Sequence, residues 1–289
     1  MANLRQIKRR IKSAKNIAQI TRAMEMVAAS KMKKAQNDAI MGKPYAEKIY
    51  QAVSDLSANI DKTVHPLLSE GNENGKKLVV LITTNKGLCG GLNTSLLRTF
   101  DKWASLMENL EAVILGKKGQ SYIVRSKAGL IADFSSDVPW RNIIPAINKI
   151  CVEGFIKGTY REVYLVYNTF FTVMKQIPTI KRILPITALE KTDSDASSKK
   201  RINFREFLIE PSINEVLENL LPHYIENQIR TAVLEAEASE HSARMIAMKN
   251  ATDAALDLMD SLTLMYNRAR QEKITFEIAD MVTARMAVD

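Results

Sequence analysis

The chain has 289 residues, 46% of them hydrophobic and 25% charged, with a formal net charge of +9. That is enough apolar material for one large or two modest cores without covalent staples. Its two cysteines, Cys89 and Cys151, and its three histidines, His65, His223 and His241, are scattered along the chain, which excludes a disulfide framework and a structural zinc site and favours a reduced compartment.

The charge is concentrated in one place. Residues 1–34 carry ten Lys and Arg against a single acid, Glu25, while the other 31 basic and 31 acidic side chains cancel. A mitochondrial presequence is also Arg-rich and acid-poor, but here the apolar pattern runs unbroken past residue 35 and no Ser-rich junction follows. Leu4, Ile7, Ile11, Ala14, Ala18, Thr21, Glu25, Ala28, Met32, Ala35 and Ala39 recur at spacings of three and four, the repeat of a coiled-coil seam rich in small residues. Ile17, Ile20, Met24 and Val27 form a second stripe that is expected to widen this face. Apolar spacing resumes at Ile49, Val53 and Leu56, so a helix of some 50 residues is expected, with a kink near Pro44.

All 11 glycines lie between Gly42 and Gly158. After a loop from Lys62 to Gly75, read as mobile, Leu78 to Ile82 is a short β-branched apolar run and predicts a buried strand. A helix is expected from Thr94 to Leu110, a strand over Ala112–Gly116, a short helix from Gln120 to Lys127 and a strand at Leu130–Phe134. A helix from Ile143 to Gly158 and a strand at Val163–Tyr167 follow. The alternation predicts a parallel sheet with right-handed crossovers, and the apolar runs on either side of Pro178 predict an antiparallel strand at its edge. Leu189–Lys200 is a polar loop and Phe204–Glu210 a last strand. Ser212 and Glu215 have capping-box spacing, and the terminal helix is expected to begin at Pro222.

From His223 to Asp289 there is neither glycine nor proline. One stripe runs Ile225, Ile229, Ala232, Ala236, Ser239, Ala243, Ile246; after a phase change a second runs Met248, Thr252, Ala255, Met259, Leu262, Tyr266, Ala269. Charges such as Arg244, Lys249, Asp253 and Arg268 interrupt every window long enough to span a bilayer. Two long terminal helices with small-residue seams should therefore pair as an antiparallel coiled coil, the C-terminal one running past its partner. The chain divides into a helix at 1–60, an α/β domain at 61–210 and a helix at 211–289, an α/β fold class with a coiled coil built from its two ends.

Chemistry on the chain is sparse. Gly87-Leu88-Cys89-Gly90-Gly91, between a strand and a helix, lacks both the Lys-Ser/Thr ending of a P-loop and the G-x-G-x-x-G pattern, and is read as a tight turn with close helix–strand packing. Cys89 is read as a small buried side chain and not as a nucleophile. The basic N-terminal helix has an apolar seam and no aromatic residue before Tyr45 on which bases would stack, so an acidic protein surface competes with nucleic acid as its counterpart.

Ile20-Thr21-Arg22-Ala23-Met24-Glu25-Met26-Val27-Ala28-Ala29-Ser30-Lys31-Met32 resembles the γ subunits of F-type ATP synthases. The likeness returns at Gly87–Asn93, at Glu226-Asn227-Gln228, at Ala238–Met245 with Ala247-Met248-Lys249, and at Tyr266-Asn267-Arg268-Ala269-Arg270-Gln271, in the family's order and over essentially the whole chain. The resemblance implies a rotor shaft: a coiled coil on the axis of a hexamer of α and β subunits, above a Rossmann-like foot that binds no nucleotide and sits beside ε on the ring of membrane c subunits, one copy per complex. It implies no cofactor, no metal and no catalytic residue on this chain, and no nucleic acid. It maps contacts with the β catch loops onto Met24, Glu25, Arg244, Arg268, Gln271, Thr275 and Glu277, and contact with the c ring onto Glu210. Held by partners, the chain is then peripheral, at the cytoplasmic face of a bacterial inner membrane. Asn85-Lys86 stands where the family has Asp-Arg, Phe276 where it has a polar residue, and the tail after Thr283 lacks the usual small-residue run.

Overall fold

The computed structural model describes residues 4–57, 65–125, 128–135, 140–186 and 210–286. Helix α1 covers Leu4–Ser57 and includes Pro44. The helix is continuous through the proline, which removes one backbone hydrogen bond while the turns after it are held by buried Ile49, Val53 and Leu56.

Strand β1 (Lys76–Ile82), helix α2 (Leu92–Ala104), strand β2 (Leu110–Leu115), helix α3 (Lys117–Ile123) and strand β3 (Gly129–Asp133) form two successive parallel crossovers. Helix α4 (Trp140–Ile156) leads to β4 (Tyr160–Phe170), parallel to β1 on its other side, and β5 (Gln176–Leu184) closes that edge antiparallel to β4. The sheet order is β3-β2-β1-β4-β5. Pro178 sits in the edge strand, where its missing donor costs no ladder bond to a further strand. Leu110 belongs to β2 and not to the preceding helix, because α2 ends in tight turns at Ser105–Met107 and Asn109 takes a left-handed φ of 54°.

The strands alternate their sides as the pleat requires. Val79 and Leu81 meet Leu96, Phe100 and Ile123 of α2 and α3, whereas Leu78, Val80 and Ile82 meet α4 together with the ends of α1 and α5. The segment 65–75 is not the loose loop expected: Leu67 and Leu68 are buried in this second core, and a Cβ on Gly71 would stand 2.3 Å from the Arg161 carbonyl oxygen. The expected loop at Leu189–Lys200 lies outside the described residues, as does the expected strand at Phe204–Glu210 except for Glu210 itself.

Helix α5 (Ile213–Met286) is capped by the Ser212 hydroxyl, which accepts from the Glu215 amide at 3.3 Å. It begins nine residues before Pro222 and runs through it, contrary to the expected start. Buried Leu217, Leu221, Tyr224 and Ile225 anchor both sides of the proline, and Asn148 Nδ2 donates to the Pro222 carbonyl at 3.3 Å. The chain forms two compact units, residues 31–243 and residues 1–30 with 244–289. They account for the phase change along α5. In the larger unit the stripe from Ile225 to Ala236 packs under the sheet; in the smaller, the stripe from Met248 onward faces α1.

Candidate functional site

The smaller unit is two helices and a seam. Thr21 and Thr252 hydroxyls meet at 2.7 Å in its interior, one donating to the other, which in turn has a carbonyl of its own helix within reach as acceptor, and this pair fixes the register. Stepping outward from it by threes and fours matches the seam residues one for one: Glu25 with Met248, Ala18 with Ala255, Ala14 with Met259, Ile11 with Leu262, Ile7 with Tyr266, Leu4 with Ala269. Every one of these positions is buried or half-buried. Alanine at 14, 18 and 255 leaves room for close approach of the two backbones.

The second stripe does not join the seam. Ile17, Ile20 and Val27 are more than half exposed and Met24 is 41% exposed, so these side chains point away from α5. On α5 Leu258, Leu264 and Met265 are similarly bare, and from Gln271 to Met286 every residue is exposed, including Ile274, Phe276, Ile278 and Met281. Apolar surface in that quantity marks an interaction face. Alongside it Arg5, Lys8, Arg9, Arg10, Lys12 and Lys15 are all exposed, and the unit carries 13 basic against 8 acidic side chains.

The mapped coupling residues fall in two groups. Met24 and half-buried Glu25 lie level with Met248 and Lys249, and half-buried Arg244 lies a little over one turn away. Arg268 is about 36 Å from Arg244 along the axis at roughly 1.5 Å per residue. With Arg268 go exposed Gln271, Thr275 and Glu277, which lie past Leu4, the first described residue of α1. The Thr275 hydroxyl donates to the Gln271 carbonyl at 3.0 Å and Glu277 pairs with Lys273 at 3.4 Å. Glu210 belongs to the other unit and is exposed, just before the cap of α5. The bare residues of α1 were expected to widen the seam and instead face away from it, while Leu258, Leu264 and Met265 of α5, apolar side chains outside the three-four repeat, formed no expected stripe.

In the larger unit the carboxyl ends of β1 and β2 are where a doubly wound sheet would hold a nucleotide. There the Thr84 hydroxyl donates to the Lys86 carbonyl at 2.8 Å, and Asn93 donates from Nδ2 to that hydroxyl at 2.7 Å while its Oδ1 takes the Thr84 amide. Asn93 Nδ2 also approaches Cys89 Sγ at 3.4 Å. Cys89 is buried, as expected. Gly90 is required for its φ of 58°, but added Cβ atoms on Gly90 and Gly91 would meet nothing. The close packing read into this loop lies instead at the next crossover, where a Cβ on Gly116 would stand 2.2 Å from the Thr83 carbonyl oxygen and one on Gly119 2.9 Å from its hydroxyl. Cys151 is fully enclosed and burial pushes its thiol up to about 12, so it is no nucleophile at neutral pH. Among the described residues no cluster of His, Cys, Asp or Glu suits a metal ion, and no helix is long and apolar enough to cross a membrane.

A family model described as ATP synthase matches residues 3–288. The chain is 41% identical over 297 residues to an ATP synthase gamma chain of Dehalococcoides mccartyi, with all of both chains covered. It is 39% identical over 295 residues to that of Roseiflexus castenholzii, covering all of this chain and 99% of the relative. Among solved structures, a chain of the rotor of the Euglena gracilis mitochondrial ATP synthase aligns with a TM-score of 0.64 at 21% identity, over 94% of this chain and 98% of that one. A chain of the Tetrahymena thermophila central stalk and c ring aligns with a TM-score of 0.58 at 23% identity, over 80% and 99%. At such identities the structural likeness establishes the fold.

Proposed function

The chain belongs to the ATP synthase gamma chain family, and on that premise we propose that it is the central rotor shaft of an F-type ATP synthase, a non-catalytic subunit that couples rotation of the c ring to the catalytic cycle of the α/β hexamer. The observation that carries this reading is the smaller unit's asymmetry: a buried seam on one side of each helix, and on the other sides bare apolar and basic surface that differs around the circumference. A shaft of that kind presents a different face to each of three catalytic subunits. Turning it shifts their open and closed populations in sequence, because only differential contact free energy moves such an equilibrium.

In this reading Met24, Glu25 and Arg244 form one set of contacts with the β catch loops, and Arg268, Gln271, Thr275 and Glu277 form another nearer the helix end. Glu210 meets the c ring, with ε beside it. The division into helices at 1–60 and 211–289 around a Rossmann-like foot at 61–210 follows the same logic. The basic stripe from Arg5 to Lys15 faces acidic stator surfaces and allows sliding, since screened charge attraction is less register-specific than packed side chains. We place the complex at the cytoplasmic face of a bacterial membrane, supported by bacterial relatives matching end to end.

Reconstitution tests the proposal: mixed with α and β subunits, the chain should co-purify in an ATPase-active complex. Failure to form one would overturn the rotor reading. A basic coiled coil that binds nucleic acid would instead shift duplex or single-stranded DNA in gels at physiological salt, and no shift is expected.

A further inference from the structure

The turn of the β4–β5 hairpin is fastened to α5 in a way the hydrophobic core does not require. Under the sheet, α5 is held by apolar contacts from Leu217 to Ala236. Beyond Ala236 the attachments become polar. Ser239, with no exposed surface, donates to the Asn168 carbonyl at 2.9 Å, and Ser242, equally enclosed, donates to the Val173 carbonyl at 2.6 Å. The side-chain amide of Gln176 donates to the same Val173 carbonyl at 2.8 Å and reaches the Ser242 hydroxyl at 3.4 Å. A serine inside a helix ordinarily returns its hydroxyl to the carbonyl four residues back. Here two serines three positions apart, on one face of α5, both spend their hydroxyls on backbone carbonyls of the hairpin.

The turn itself is closely cross-linked by hydrogen bonds. Thr172 and Lys175 exchange both backbone hydrogen bonds at 3.0 and 3.1 Å, and the Lys175 amide also meets the Thr172 hydroxyl. Thr169 and Thr179 are joined across the strands at 2.8 Å, and the Lys175 ammonium lies 5.7 Å from the centre of the Phe171 ring. A stiff hairpin whose carbonyls are pinned to two small, enclosed side chains resists both rotation and sliding of the helix beneath it, because hydrogen bonds are directional where apolar contact is not. Small residues are needed at 239 and 242 so that the strand backbone comes this close.

We propose that the hairpin turn is a clamp on the shaft helix through which the sheet domain passes torque to α5, with Ser239, Ser242 and Gln176 as its positioning residues. The inference rests on the rotor reading above and specifies where force enters the helix.

The test uses the complete ATP synthase in sealed vesicles, with ATP hydrolysis and proton pumping measured together, first without a proton gradient and then against one. The variant S239A/S242A/Q176L removes every polar side-chain attachment described here. Hydrolysis by the complex is expected to stay within twofold of wild type, while protons pumped per ATP fall at least threefold against a gradient and little without one. The single variant Q176L, which keeps both serine bonds, should lose coupling under load to a smaller extent than the triple variant. An unchanged ratio in the triple variant under load would overturn the clamp. Equal loss of hydrolysis and pumping, or loss of assembly, would also overturn it by assigning these residues a purely structural role. If the wild-type chain itself forms no active complex, the rotor reading fails and the clamp with it, which separates the two outcomes.

Discussion

Thr21 and Thr252 show how one buried polar pair sets a register that apolar side chains leave open to slippage. Replacing Thr252 with valine removes the only hydrogen bond described between the two helices at this level and leaves the Thr21 hydroxyl the Ile17 and Ala18 carbonyls of its own helix, which should lower the stability of the paired helices by about 1 kcal/mol. The double change to valine should recover part of that loss, since matched apolar partners leave no hydroxyl facing a methyl group in the seam. Urea unfolding followed by helicity, arranged as a double-mutant cycle, would measure a coupling of about 1 kcal/mol; strict additivity would mean that the two hydroxyls do not act together. Met24 makes a different kind of claim. It is exposed in this chain, so Met24→Lys should leave unfolding unchanged and, in the assembled enzyme, lower coupling of proton flow to ATP synthesis more than it lowers hydrolysis.

Glu235 is at odds with its surroundings. One carboxylate oxygen is buried without a hydrogen-bond partner, and burial raises its pKa against the pull of Lys181, whose own pKa burial lowers while its ammonium donates to Gln228 at 2.7 Å. A carboxyl whose folded pKa lies above its unfolded value binds more protons when folded. Its effect is therefore a loss of stability as pH rises from the ordinary value of 4.5 through the raised one. Glu235→Gln should raise the unfolding midpoint at pH 7, and that advantage should vanish below about pH 4.5, where the wild-type side chain is itself neutral. A pH-independent difference would point to altered packing instead.

At the scale of elements, the parallel crossovers depend on glycines that belong to no recognisable motif. Gly116 has a φ of 97° and no room for a methyl group against Thr83, whose hydroxyl also takes the Gly119 amide at 2.8 Å. Gly116→Ala should cost about 2–3 kcal/mol, from strain and overpacking together, whereas Gly91→Ala, facing open space, should cost well under about 1 kcal/mol. Thermal unfolding of the two variants side by side would check the contrast. The alternation of strand and helix was readable because β-branched runs and three-four spacing are local. The end of α2 and the passage of α5 through Pro222 were not readable, the first because its turns lack glycine or proline and the second because it depends on tertiary partners. Turns beyond Ala104 end α2 early, and buried neighbours with an amide from Asn148 carry α5 through Pro222.

At the scale of the whole molecule, the residues past Arg270 contribute no buried side chain among those described. Ending the chain there should leave its unfolding midpoint within experimental error while weakening torque in the assembled enzyme, measured as slower rotation under viscous load. A drop in stability would mean that the terminal turns pack within the chain. Sequence by itself determined that two long helices exist, that their seams share one repeat, and that an α/β sheet separates them, because periodicity and glycine placement are properties of neighbouring residues. The recognisable blocks at Ile20–Met32 and Tyr266–Gln271 also identified the family. Only the tertiary structure decided that the second stripe of α1 does not widen the seam and is left for partners. Both stripes of α1 are apolar, and adjacent stripes can share one buried face; how wide that face is depends on how closely the second helix packs on the small residues such as Ala18, and at this closeness larger side chains such as Ile17 are left facing outward.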